Sequence, residues 1–306
     1  MAATAGSGLA LPQPVRVSLL HNPSAGEGAR FEEVVRELAR AGYEVVREIE
    51  KRSDFQRVRE EPVDFVVIAG GDGTVREAAR ALAGSGVPLA ILPIGTANNV
   101  AKSLGIEGGL AENVARWKNA KRVPFDLGLA RGQWGESRFL ESVGGGLVPA
   151  GIETAQEKPA HKTEDTQTEL DRAIASYSEA LERLQPRLWT GSVDGRPIDG
   201  EYLLIEILNI PSVGANLVLA DGADPTDGYF DVVTAGEADR EEIAAYLDAL
   251  RAGEPASLSL PTRRARRAEI GGWDRMHVDD EVRPIADAGR VGIEVEPGAI
   301  EFLVSS

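Results

Sequence analysis

Phe65-Val66-Val67-Ile68-Ala69 is a short, unbroken apolar run, and Gly70-Gly71-Asp72-Gly73-Thr74 follows it directly. A run of that length without polar alternation is the pattern of a strand buried on both faces. Past the glycines, Val75, Ala78, Ala79 and Leu82 recur at helical spacing. Thr74 and Glu77 form a capping-box pair at the start of that helix, and Gly84 ends it. The same order surrounds this unit. Residues 15–20 read as a buried strand, Phe31, Val34, Val35 and Leu38 as a helix face closed by Gly42, and Tyr43–Ile49 as the next strand. Residues 87–92 form another buried strand and 99–104 a short helix closed by Gly105. Strands alternating with helices predict a parallel sheet covered by helices.

From about residue 122 strands dominate: 122–130, 138–143, 188–193, 201–208, 229–234, 264–270, 276–278 and 291–295. Asp194-Gly195 and Asp227-Gly228 punctuate them as turns. Leu170, Ile174, Tyr177, Leu181 and Leu184 mark one inserted helix, stopped by Pro186, and 241–250 a second. The polar stretch 156–167 reads as a mobile loop. The expected fold is therefore α/β: an N-terminal parallel-sheet nucleotide-binding domain over 15–128, followed by an antiparallel β-sandwich with inserted helices over 129–298. Residues 1–14 read as a disordered tail, and a C-terminal strand over about 299–306 is free to return to the first domain.

With no cysteine, disulfides, thiolate metal sites and cysteine nucleophiles are excluded. His21, His161 and His277 are too scattered for a helical zinc pair. A net charge of -16 makes the chain a poor partner for nucleic acid and a weak general binder of anionic membrane. No apolar run reaches the length of a membrane span, so the expectation is a cytoplasmic protein that meets a membrane only peripherally. Oligomeric state is open, a homodimer included.

Glycines between a buried strand and a helix let the backbone approach a ligand closely. The helix behind them offers free N–H groups and the positive end of its dipole, so phosphate is the natural ligand. No Gly-Lys-Ser/Thr ends the loop, so it is not a Walker A loop, nor is it a GxGxxG fingerprint. A tight structural turn is the plainer alternative. Two further loops, Asn22-Pro23-Ser24-Ala25-Gly26 and Gly95-Thr96-Ala97-Asn98, also follow strands of the predicted parallel sheet. Ligands of open parallel sheets bind beyond the carboxyl ends of the strands, so all three loops can converge on one crevice.

The segments NPSAG (22–26), GGDGT (70–74) and LPIGTANNVAKSLGI (92–106) resemble the diacylglycerol kinase catalytic domain, a family that includes bacterial soluble lipid kinases and sphingosine kinases. PFDLG (124–128), DPTDGYFDVV (224–233) and VDDE (278–281) extend the resemblance over nearly the whole chain. GGDGT is shared with NAD kinases, whereas its combination with a downstream GTAN is specific. The resemblance implies that Asn22, Pro23, Ser24, Ala25, Gly26, Gly71, Asp72, Gly73, Thr74, Val75, Arg76, Glu77 and Thr96 hold ATP. It implies Glu281 as the proton acceptor with Asp279 beside it, and Asp227 as a Mg²⁺ ligand, with Asp224 and Tyr229 supplying backbone carbonyls. Asp126 matches an aspartate linked to that metal through water. Without the resemblance, Asp279–Glu281 reads as an acidic surface turn, Asp227 as a turn residue and Asp126 as a strand-end carboxylate. The implied activity is ATP- and Mg²⁺-dependent phosphorylation of a lipid hydroxyl, on diacylglycerol or a related alcohol.

Three positions depart from the family pattern. Asp280 replaces the glycine between the catalytic carboxylates, Glu27 follows the first loop where small or basic residues are common, and Arg76 replaces a frequent asparagine. Arg76 could supply positive charge near phosphate. An NAD kinase-like enzyme and a regulatory module that binds nucleotide without catalysis are the alternatives; Asp280 and Glu27 favour the second. The arginines at 263, 264, 266 and 267 read either as a lipid-headgroup patch or as a solvated strand edge.

Overall fold

The computed structural model describes residues 14–21, 28–49, 55–158, 166–286 and 289–305. The N-terminal half runs β1 (Val15–His21), α1 (Gly28–Ala41), β2 (Tyr43–Ile49), α2 (Phe55–Glu60), β3 (Phe65–Gly70), α3 (Asp72–Leu82), β4 (Leu89–Pro93), α4 (Asn99–Ser103) and α5 (Leu110–Arg116). It continues through β5 (Lys121–Gly132), β6 (Gly135–Phe139), β7 (Ser142–Gly146), α6 (Leu147–Glu157) and α7 (Thr166–Arg183). Next come β8 (Arg187–Val193), β9 (Arg196–Pro197), β10 (Gly200–Tyr202), β11 (Leu204–Leu208), β12 (Ser212–Val213), β13 (Leu217–Val218), β14 (Phe230–Ala235) and α8 (Arg240–Arg251). The chain closes with β15 (Thr262–Ala265), β16 (Arg267–Gly271), β17 (Arg275–Val278), β18 (Glu281–Pro284) and β19 (Arg290–Val304).

Strands β2, β1, β3 and β4 lie side by side in that order, all parallel. The alternation of β3 explains why it is apolar throughout. Val66 and Ile68 enter the core under α3 and α4, while Phe65, Val67 and Ala69 enter the core under α1 and α5. Sequence order departs to opposite sides of β1, with β2 on one edge and β3 on the other, which is the switch point where open sheets form a ligand crevice.

Beyond β4 the sheet continues through β19, which pairs with β4 in parallel through Phe302 and Leu89 and with β5 and β16 antiparallel. A second sheet, β15-β14-β11-β7-β17-β18, packs over β5, β8, β16 and β19 with Trp189, Phe139, Phe230, Ile270 and Met276 between them. Helices α6, α7 and α8 cover its other face. The family of the fold is thus a parallel α/β sheet followed by a sandwich, as expected.

Three predicted strands prove to be two each. Residues 138–143, 201–208 and 264–270 break at positions 140–141, 203 and 266, because each chain there passes from one sheet of the sandwich to the other. Helix α6 is absent from the sequence reading. Its Pro149 lies in the first turn, where a missing N–H costs nothing. Asp194-Gly195 turns β8 into β9 with both residues left-handed (φ 46° and 76°), as the hairpin reading requires. Asp227-Gly228 instead lies in the loop before β14 and joins no strand pair. The predicted loop 156–167 shrinks: Gln156 and Glu157 finish α6, Thr166 begins α7, and 159–165 lie outside the described residues.

Phe302 is fully buried, its ring set edge-on to Phe125 at 5.1 Å. Phe302→Ala should cost about 3–5 kcal/mol of unfolding free energy, the range for an aromatic removed from a core. Urea unfolding should show a lower midpoint with an unchanged slope.

Candidate active site

Gly71 is the N-cap of α3, with extended backbone (φ −95°, ψ −170°) and no side chain capping the helix. The Thr74–Glu77 capping box is therefore corrected: α3 begins three residues earlier, inside the glycine motif, and Thr74 sits in its first turn. A Cβ on Gly71 would lie 3.0 Å from the Cα of Gly95, and a Cβ on Gly95 only 2.4 Å from the Cα of Gly71. The GGDGT and GTAN loops thus touch backbone to backbone. Asn98, left-handed at φ 52°, fixes the second loop: its Oδ1 accepts from the Gly95 N–H at 3.0 Å and its Nδ2 donates to the Gly95 carbonyl at 2.7 Å. Asp72 Oδ1 accepts from the Val100 N–H at 3.0 Å, which binds the glycine loop to α4. Asn22, Pro23, Ser24, Ala25 and Gly26, and Glu27, lie outside the described residues.

The acidic turn Asp279-Asp280-Glu281 joins β17 to β18 and meets α3 across the chain. Asp279 is left-handed (φ 54°) and buried. Its Oδ1 accepts from the N–H groups of Leu140 (3.1 Å) and Glu141 (2.9 Å), and its Oδ2 from Arg80 Nη2 (3.0 Å). Burial pushes its carboxyl above the ordinary range, against the pull of Arg80 and Arg76. His277 donates from Nδ1 to the Asp279 carbonyl at 2.5 Å and sets Nε2 2.8 Å from Glu206 Oε1. Burial lowers its pKa, but Glu206 and Asp279 together outweigh that cost and raise it.

Glu281 is held between two arginines, Arg80 Nη1 at 3.2 Å and Arg283 Nη2 at 2.6 Å. Partial burial would raise its pKa, but these cations together lower it. Arg80 reaches both Asp279 and Glu281 and also donates to the Arg138 carbonyl at 2.6 Å.

Between α3 and this turn lies a small cavity of about 160 Å³, lined by Asp72, Gly73, Arg76, Glu141, Asp279 and Asp280 among others. Glu281 is not among its lining residues. A second cavity of about 420 Å³ shares Ile152, Gly214 and Asp280 with it and runs between α6 and α7 past Ala155, Leu170 and Ala173. Thr96, read as an ATP contact, stands at this second cavity and donates its hydroxyl to Glu169 Oε2 at 2.7 Å. Val75 is buried in the core and cannot touch a ligand with its side chain. Thr74 packs under Gly70, and Glu77 follows on α3.

Glu141 was not singled out in the sequence. It is buried beside Asp72 and Asp279 and accepts from Asn99 Nδ2 at 2.9 Å. A lone acidic residue inside the apolar stretch Phe139–Val143 was the available signal. Burial pushes its carboxyl well above the ordinary range, and Asp72 and Asp279 push the same way.

Asp126, Asp224, Asp227 and Tyr229 lie apart from these cavities. Asp126 is buried, its oxygens accepting from the N–H groups of Gly298 and Gly228, both at 2.7 Å. Burial raises its pKa against those two bonds. Asp227 Oδ1 accepts from the Tyr229 N–H at 2.9 Å, and its Oδ2 pairs with Arg264, which also stacks on the Tyr229 ring. Asp224 Oδ1 accepts from the N–H and hydroxyl of Thr226. Asp227 has one oxygen on the Tyr229 N–H and the other on Arg264, so a cation at this cluster would have to displace the guanidinium. Among the described residues no group of three or more His, Cys, Asp or Glu is placed to hold a metal. These four residues border or adjoin a separate cavity of about 700 Å³, which shares no lining residue with the other two.

A folded pKa above the unfolded one gives a carboxyl stability that is lost as pH rises through the folded value. Glu141→Gln keeps the acceptor for Asn99 without the charge. In thermal melts its midpoint should approach wild type in acid and exceed it increasingly towards alkaline pH. A gap that does not change with pH would place the titrating group elsewhere.

Comparison with known proteins agrees with this layout. Residues 16–130 match the diacylglycerol kinase catalytic domain, and residues 146–304 match the YegS C-terminal NAD kinase beta sandwich-like domain. A diacylglycerol kinase of Bacillus subtilis is 25% identical over 282 residues, covering 86% of this chain and 88% of its own. A Pseudomonas aeruginosa protein described as "Probable lipid kinase YegS-like" is 29% identical over 300 residues, covering 92% and 91%. A crystal structure of a diacylglycerol kinase from Bacillus anthracis superposes with a TM-score of 0.69 at 20% identity, over 96% of this chain and 99% of that one. The chain belongs to the diacylglycerol kinase catalytic-domain family and is an enzyme of the lipid kinase class.

Proposed function

We propose that this family member transfers the γ-phosphoryl group of ATP to a hydroxyl of a lipid, diacylglycerol or a related lipid alcohol. The observation that carries this reading is the uncapped N-terminus of α3, open to a cavity lined by Gly73, Arg76 and four carboxylates. Free N–H groups and the helix dipole bind phosphate, and positioning with charge neutralisation accounts for most of the catalysis of phosphoryl transfer. ATP enters as its Mg²⁺ complex, so the cation arrives with the substrate, and the acids around the cavity face it. The adjoining groove between α6 and α7, with Ile152, Ala155, Leu170 and Ala173 in its walls, offers an apolar channel for the acceptor. A lipid drawn from a bilayer reaches it from the protein's surface, which requires peripheral contact with a membrane and no spanning helix; none is present among the described residues.

Glu281 is the proposed proton acceptor by its family position, with Asp279 fixing the turn. Arg80 and Arg283 keep Glu281 ionised. Glu141 is the second reading, favoured by one observation: it lines the cavity itself, and its raised pKa makes it the stronger base. Turnover separates them. If Glu281 is the base, Glu281→Gln loses about 10²–10⁴-fold in kcat with ATP affinity unchanged. If that variant turns over normally and Glu141→Gln does not, Glu141 carries the role.

The nucleotide reading itself is tested at Gly73. A Cβ there meets only Arg76 Nη2 at 3.7 Å, so Gly73→Val has room to fold while it fills the cavity. Calorimetry on the folded variant should show ATP binding abolished. Unchanged affinity would move the nucleotide away from α3.

A further inference from the structure

Two of the departures from the family pattern, Arg76 and Asp280, lie 204 residues apart in sequence and touch in space. Asp280 Oδ2 accepts from Arg76 Nη2 at 3.0 Å, and Oδ1 pairs with Nη1, so the contact is bidentate. Both side chains line the small cavity at the N-terminus of α3. We infer that Asp280 is a built-in stand-in for nucleotide phosphate, covering the Arg76 guanidinium until the triphosphate displaces it. This inference rests on the nucleotide reading of that cavity.

The asymmetry of the pair is the argument. The Arg76 side chain is 10% exposed and that of Asp280 is 64% exposed. A buried guanidinium without an anion is costly, whereas an exposed carboxylate returns to water at little cost. The arginine is therefore the fixed member and the aspartate the replaceable one. Arg76 Nε has no partner, so the buried fork has donor capacity to spare. A planar guanidinium fits two phosphate oxygens as it fits two carboxylate oxygens. Nor is the pair needed to tie the acidic turn to α3, because Arg80 already does so through Asp279 and Glu281. Phosphate arriving at Gly73 would meet Arg76 on the same helix turn and push Asp280 into solvent.

Three variants test this: R76N, D280A and the pair combined. Calorimetry with ATP should show R76N weakened by about 10- to 100-fold, the loss for a charged hydrogen-bonded contact. D280A should bind ATP more tightly than wild type, because the anion paired directly with the Arg76 guanidinium no longer competes. Its nucleotide-free melting temperature should fall, and inorganic phosphate should restore it more than it moves wild type. If D280A instead weakens ATP binding as R76N does, the pair is a structural tie and the stand-in is overturned. If wild type, D280A and R76N are all folded and none binds ATP, the nucleotide reading fails and takes the inference with it.

Discussion

Asp279 has to be paired where it lies, because an ionised carboxylate taken out of water is stable only with hydrogen bonds and a counter-ion around it. It receives two backbone N–H groups from the β6–β7 connection and one guanidinium from α3. Those three bonds come from the sandwich and from the helix of the parallel sheet, so satisfying one buried charge fixes the relative position of both halves. The acidic turn, the Glu141 carboxylate and the first turn of α3 are held together as a result. The left-handed backbone of Asp279 is the local strain that this arrangement carries.

The strand–glycine–helix unit was legible because every signal in it is local: an apolar run, a glycine cluster, a 3.6-residue periodicity and a closing glycine. The GGDGT and GTAN loops meet because β3 and β4 are parallel neighbours, and that parallel pairing follows from the alternation of strands and helices. What stayed hidden was long-range. Nothing near residue 140 or 266 announces that the chain changes sheets there, since a strand that bends out of one sheet keeps the same composition. Helix α6 was masked by Pro149 and Gly151 within it and by the glycines 144–146 just before it. The pairing of Arg76 with Asp280 joins two positions that each look anomalous alone. Glu141 was visible as an acid in an apolar stretch, yet its partners Asp72 and Asp279 come from segments far away in sequence.

On the proposed nucleotide reading, a chain of net charge −16 has to accommodate a triphosphate. Long-range repulsion is met by short-range donors: the α3 dipole, Arg76 at the cavity, and Arg80 and Arg283 around the acidic turn. Near contact these outweigh the far field, because interactions beyond about 8 Å are screened at physiological salt.

β19 runs unbroken for 15 residues from the sandwich into the parallel sheet, a rod of about 50 Å at the rise of a strand. Two bodies sharing such a rod cannot open and close like jaws about a flexible linker. Its irregularity lies between Glu296 and Ile300, where Gly298 is left-handed, and the Gly298 N–H is held by Asp126. Asp126 thus acts as a pin through the joint of a stiff beam. Any movement of one half against the other would have to bend the strand at this joint, where Asp126 holds the backbone of Gly298.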